Sequence, residues 1–130
     1  MSRYRVLVLL LTICTLGASI GPVSVAAQEA GTVKWSYKTD YWVTSSPTVV
    51  DGTVYVGSAD SNVYALDAST GNKTWNFTAG DNVYDAPAVV DGTVYVGSSD
   101  SKVYALDASD GSRRWSYETG GDVISSPTAV

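Results

Sequence analysis

A tandem repeat of forty residues constrains this chain more than any other feature. Trp35, Trp75 and Trp115 stand 40 residues apart, and so do Pro47, Pro87 and Pro127. Residues 35–74 and 75–114 agree at 23 of 40 positions, and the run from Asp51 to Ser58 recurs unbroken from Asp91 to Ser98. Residues 115–130 then reopen the unit, matching 10 of 16 positions in residues 35–50. A unit of this length cannot bury its apolar faces alone, so the chain must stack one copy on the next to make a core.

Within each copy the pattern is that of short strands between turn residues. Thr48–Val50 and Thr53–Val56 flank Asp51-Gly52, a two-residue turn whose glycine accepts the positive φ of a type I′ hairpin. Val63–Leu66 follows after the polar run 58–62, and Lys73–Phe77 returns after the turn at Ala68–Gly71. No 3.6-residue period is sustained, which excludes a helical solenoid. The copy is therefore an antiparallel four-stranded meander of the size of one propeller blade, and the fold class is all-β, a β-propeller with about two complete blades. These span residues 47–77 and 87–117, with an outer strand at 33–37 before them and the start of a next blade at 127–130.

The run from Ala65 to Trp75 reads A-x-D-x-x-T-G-x-x-x-W, and Ala105 to Trp115 repeats it with Asp110 in place of the threonine. Here the chain resembles the PQQ-like propellers, in which this tryptophan-docking motif recurs. The family includes quinoprotein alcohol dehydrogenases and the propeller lipoprotein of outer-membrane barrel assembly. The resemblance covers residues 33–130 and implies blade-docking roles for Trp35, Ala65, Asp67, Gly71, Trp75, Ala105, Asp107, Gly111 and Trp115. The residues carry the same reading unaided: Trp75 and Phe77 share a strand face at period two, where an indole can cover a neighbouring blade. The resemblance further implies rings of seven or eight blades, roughly 280 to 320 residues at forty each. The strand at 33–37 would then be the family's closing strand. Two blades alone, with open strand edges, are expected not to form a stable closed monomer, and to need further blades from a longer chain or from other copies.

Residues 1–27 hold Arg3 and Arg5, no acid, an apolar run from Val6 to Leu16 and the ending Val25-Ala26-Ala27. This is the layout of a secretory signal peptide cleaved before Gln28, with a short linker at 28–32. A retained membrane anchor is the other reading, because Val6–Ala27 is uncharged. Cys14 lacks the small residue that precedes a lipidated cysteine, and the two arginines are not adjacent. The chain is thus expected outside the cytoplasm, without stable membrane insertion once cleaved.

Net charge is −5, and loss of Arg3 and Arg5 takes it to −7. That acidity argues against nucleic acid as a partner. The sequence has no histidine, and its one cysteine, Cys14, lies in the leader. Disulfides, thiolate metal sites and His-based catalysis are excluded from the mature residues. The repeated aspartates Asp51, Asp60, Asp67, Asp91, Asp100 and Asp107 read as turn residues beside Gly and Ser. Asp60-Ser61-Asn62 lacks the further acids and closing glutamate of a calcium loop.

The copies differ most in the links between blades, residues 38–46, 78–86 and 118–126. Loops on a repeated scaffold carry binding surfaces, which singles out Tyr41, Trp42, Tyr84 and Asp85 as candidate ligand contacts, with drift of unconstrained loops as the alternative. Asn72-Lys73-Thr74 and Asn76-Phe77-Thr78 are N-glycosylation sequons. The quinone-stacking tryptophan, calcium ligands, aspartate base and cysteine pair of the family's enzymes cannot be mapped here residue by residue. The expected function is a non-catalytic exported module that binds or scaffolds an unknown protein or small-molecule ligand, with no evident cofactor. The alternative is part of a PQQ-dependent dehydrogenase using PQQ and calcium.

Overall fold

The computed structural model describes residues 4–7, as backbone, and residues 31–129. Apart from residues 4–7 and 31–32, the expected leader at 1–27 and linker at 28–32 lie outside the described residues. All regular structure described is β: β1 Tyr4–Leu7, β2 Ser36–Thr39, β3 Thr48–Val50, β4 Thr53–Gly57, β5 Asn62–Asp67, β6 Lys73–Thr78, β7 Ala88–Val90, β8 Thr93–Ser98, β9 Lys102–Asp107 and β10 Arg113–Glu118. Strands β3 to β6 form one antiparallel four-stranded meander and β7 to β10 a second, each in sequence order. No helix among the described residues is long and apolar enough to cross a membrane.

Local chemistry sets the meander. Asp51 and Gly52 take φ of 48° and 74°, and Asp91 and Gly92 take 47° and 69°, the paired left-handed conformations of a type I′ turn. Val50 thereby faces Thr53 across the first hairpin, and Val90 faces Thr93 across its copy. The β4–β5 and β8–β9 turns place Ser61 and Ser101 at positive φ, 70° and 65°.

Both faces of β4 and β5 are buried, in two sets that follow the pleat. Val54, Val56, Tyr64 and Leu66 pack beneath Trp35, Tyr37, Val43 and Ala68. Tyr55, Val63, Ala65 and Trp75 join Val94, Val96, Tyr104 and Leu106 of the second sheet in a shared core. The core thus lies between sheets and not within one, as expected when no single blade can cover both of its faces.

The first outer strand described is Ser36–Thr39, laddered antiparallel to Tyr4–Leu7 in the register Leu7 to Ser36 through Tyr4 to Thr39. Pro127–Ala129 carry no strand, and no pairing strand is described for them, whereas β3 and β7 are each held by the strand beyond their Asp-Gly turn.

Candidate functional site

The links and the β4–β5 and β8–β9 turns interlock at one end of the sheets. Trp42 O accepts Ala59 N–H at 2.8 Å, and Ser58 O accepts Val83 N–H at 3.1 Å, so the first two links flank one turn. In the second sheet Ser98 Oγ donates to Asp81 O at 2.9 Å, Ser99 N–H to Asn82 O at 3.0 Å, and Val123 N–H to Ser98 O at 3.2 Å.

The repeated aspartates of these turns reach further than local capping. Asp60 accepts the N–H of Asn62 and the hydroxyl of Tyr64, and also Asp40 N–H from the preceding link at 3.1 Å. Asp100 likewise takes Lys102 N–H, Gly80 N–H and the Tyr104 hydroxyl. Burial raises the Asp100 pKa, but hydrogen bonds from Tyr104 and Gly80 outweigh it and the carboxyl falls below its ordinary value. Tyr104 is pushed up to about 12 by burial and by its bond to that carboxylate. Sequence reasoning missed this clamp because its two halves lie 20 residues apart with no local signature.

At the opposite end the tryptophans meet the following turn. Trp35 Nε1–H donates to Ala68 O at 2.9 Å and Trp75 Nε1–H to Ala108 O at 3.0 Å. Gly71 and Gly111, both at φ 75°, lie under these indoles: a Cβ at either would fall 2.5 Å from a ring carbon. Ala65 and Ala105 are the buried cross-strand partners of Trp75 and Trp115. Asp67 accepts Ser69 Oγ–H, Ser69 N–H and Thr70 N–H, and these bonds, the Ser69 hydroxyl foremost, lower its pKa. Asp107 holds Ser109 in the same way and also binds Arg114 at 2.7 Å. Trp75 is 7% exposed, whereas Trp115 is 47% exposed.

Tyr41, Trp42 and Tyr84 are exposed at 49, 47 and 37%. The rings of Tyr41 and Trp42 lie 5.2 Å apart, inclined by 32°. Tyr84 accepts a hydrogen bond from Asn82 Nδ2 at 2.6 Å. Asp85 is not exposed alongside them: its Oδ2 is buried without a hydrogen-bond partner, and burial raises its pKa. Its counterpart Ser45 is satisfied, donating to Gly57 O and accepting Gly57 N–H, both at 2.9 Å. Asn72 and Asn76 are exposed, and the Asn76 amide bonds Asn62 Oδ1 and Lys73 Nζ.

Among the described residues no three His, Cys, Asp or Glu side chains gather to hold a metal ion. The Asp60 and Asp100 carboxylates are already committed to backbone N–H groups and tyrosine hydroxyls.

Two stacked antiparallel four-stranded meanders, the first tied to the second through Trp75, are blades of a PQQ-like β-propeller. The crystal structure of BamB from Moraxella catarrhalis superimposes with a TM-score of 0.64 at 22% identity, over 69% of this chain and 28% of that one, a likeness of fold. Quinohemoprotein alcohol dehydrogenase ADHIIG from Pseudomonas putida HK5 gives 0.63 at 35% identity, over 70% of this chain and 16% of that one. Quinohemoprotein alcohol dehydrogenase from Comamonas testosteroni gives 0.56 at 36%, over 61% and 13%. The chain therefore spans under a third of the length of each of these structures. Residues 15–129 match the family described as outer membrane protein assembly factor BamB, and the chain belongs to that family. Curated protein sequences return no significant match.

Proposed function

We propose that this chain is a non-catalytic, exported recognition or scaffold module. In this reading the repeated residues dock blade on blade, and the link end contacts a partner through Tyr41, Trp42 and Tyr84, with Asp85 beneath them. One observation carries it: the repeat residues Trp35, Trp75, Asp60 and Asp100 are engaged in contacts to the neighbouring turn or link, whereas Tyr41, Trp42 and Tyr84, which the repeat does not require, are exposed at the link end. Membership of a family named for outer-membrane assembly supports placement outside the cytoplasm and a protein partner. The leader at 1–27 agrees with that placement, and Asn72 and Asn76 would be surface acceptors if the host glycosylates.

The test is a photo-crosslinking amino acid placed at 42 or 84, and as controls at 51 or 91 on the opposite end, in the full chain expressed with its leader. Crosslinked adducts from 42 and 84 but not from 51 and 91 are expected. Equal yields from both ends would overturn the reading. N-terminal sequencing of the exported species checks cleavage before Gln28.

A quinoprotein reading is favoured by one observation, the 35–36% identity to two quinohemoprotein alcohol dehydrogenases. Titration with PQQ and calcium decides it: saturable quenching of tryptophan fluorescence would support a quinone site. The donor geometry leads us to expect none.

A further inference from the structure

We infer that the link end is a docking surface for a basic protein segment, whose arginine or lysine side chains stack on Tyr41, Trp42 and Tyr84 and pair with Asp40, Asp81 and Asp122. The inference rests on the link end being the binding face and names the chemistry of its partner.

Charge along the chain is sorted by position. The links at 38–46, 78–86 and 118–126 contain five acids, Asp40, Asp81, Asp85, Glu118 and Asp122, against one base, Lys38, and no arginine or histidine. The turns that interlock with them add Asp60 and Asp100. Arg113, Arg114 and Lys73 begin β10 and β6, at the opposite end, and Arg114 is held by Asp107. Lys102 opens β9 beside Asp100 and faces Glu118 at 4.0 Å. Asp40, Asp81 and Asp122 are exposed, and so are the three rings.

These rings and carboxylates occupy one region and not scattered loops. The backbones of Trp42 and Val83 both bond the Ser58–Ala59 turn, which brings Tyr41-Trp42 beside Val83-Tyr84. An aromatic face presents negative electrostatic potential, so a cation over Trp42 gains from the ring and from the surrounding carboxylates together. Guanidinium also stacks flat on an indole while its N–H groups reach carboxylates at the rim. A neutral sugar could stack on the rings and hydrogen-bond to Asp40, Asp81 and Asp122 but would not engage their charge, whereas a cation gains from both and an anionic ligand would be repelled. The third link supplies contrast: in place of Tyr41-Trp42 it carries Gly121-Asp122, keeping acid without aromatics.

The experiment is fluorescence anisotropy of fluorescein-labelled hexa-arginine titrated with the full chain at low salt, with far-UV circular dichroism on every variant. We expect saturable binding, weakened at least fivefold by Trp42→Ala and about tenfold by Asp40→Asn with Asp81→Asn. The pair Asp51→Asn with Asp91→Asn makes the same change in net charge at the opposite end and is expected to stay within twofold of wild type. Equal losses from the two pairs would show diffuse attraction to an acidic chain and overturn the inference. No binding of hexa-arginine would overturn it too, while crosslinks from 42 and 84 would leave the link end standing as a binding face. Binding of cellohexaose that depends on Trp42, without binding of hexa-arginine, would keep the face and replace the ligand class.

Discussion

Asp85 carries the least satisfied polar atom among the described residues. Burial without a donor makes the ionised form unfavourable, so its folded-state pKa stands above the unfolded value. Stability contributed by the protonated group is present at low pH and is lost as pH rises through that raised pKa. The other two copies place serine here, at Ser45 and Ser125. Asp85→Ser is therefore expected to stabilise the chain by about 1 kcal/mol at pH 7, the scale of one relieved buried polar group, and by less at pH 4. Thermal melts at the two pH values check this. A partner that binds over Asp85 would instead explain why an acid is tolerated there, and Asp85→Ser would then weaken crosslinking from position 84.

At the scale of elements, the same strand meets different fates in different copies. β6 and β10 carry Trp75 and Trp115 at equivalent positions, but only Trp75 lies against a following turn. Trp75→Ala should remove roughly 3–4 kcal/mol, the cost of emptying a buried aromatic site. Trp115→Ala should cost under about 1 kcal/mol in this chain, because half-exposed aromatic surface leaves little cavity. Urea unfolding of the two variants separates them, and equal costs would show that Trp115 is covered in solution. Gly111→Ala should approach the Trp75 variant in severity, since a methyl there meets the indole and the φ of 75° strains any L side chain.

For the whole molecule, the carboxylates set the response to acid. Asp67, Asp100, Asp107 and Asp110 all have pKa values below the ordinary range, through hydrogen bonds from Ser69, Tyr104, Ser109 and Ser112 respectively, with burial opposing the shift most at Asp100. A depressed folded-state pKa means stability that is present above the unfolded value of about 4 and lost as pH falls through the folded values. The melting temperature should be nearly flat above about pH 5 and fall steeply below about pH 4. Asp100→Asn should flatten that acid limb, because Asp100 joins a link to a turn as well as capping its own. Circular dichroism melts from pH 2 to 7 measure both.

Much of this was legible in the sequence, because the period of forty and the Asp-Gly, Ala-x-Asp and Trp positions are local and recur in copies. Strand identity, hairpin turns and the all-β blade follow from alternation and turn chemistry, which act within a few residues. The tertiary structure alone decided what depends on one blade meeting another. It put Gly71 under Trp35 and Gly111 under Trp75, and let Asp60 and Asp100 reach back to hold the preceding link. It also turned Asp85 inward while leaving Tyr41, Trp42 and Tyr84 at the surface. Side chains in an irregular link have no period to report their direction. Only the packing of the link against two successive turns determines which of them reach a partner.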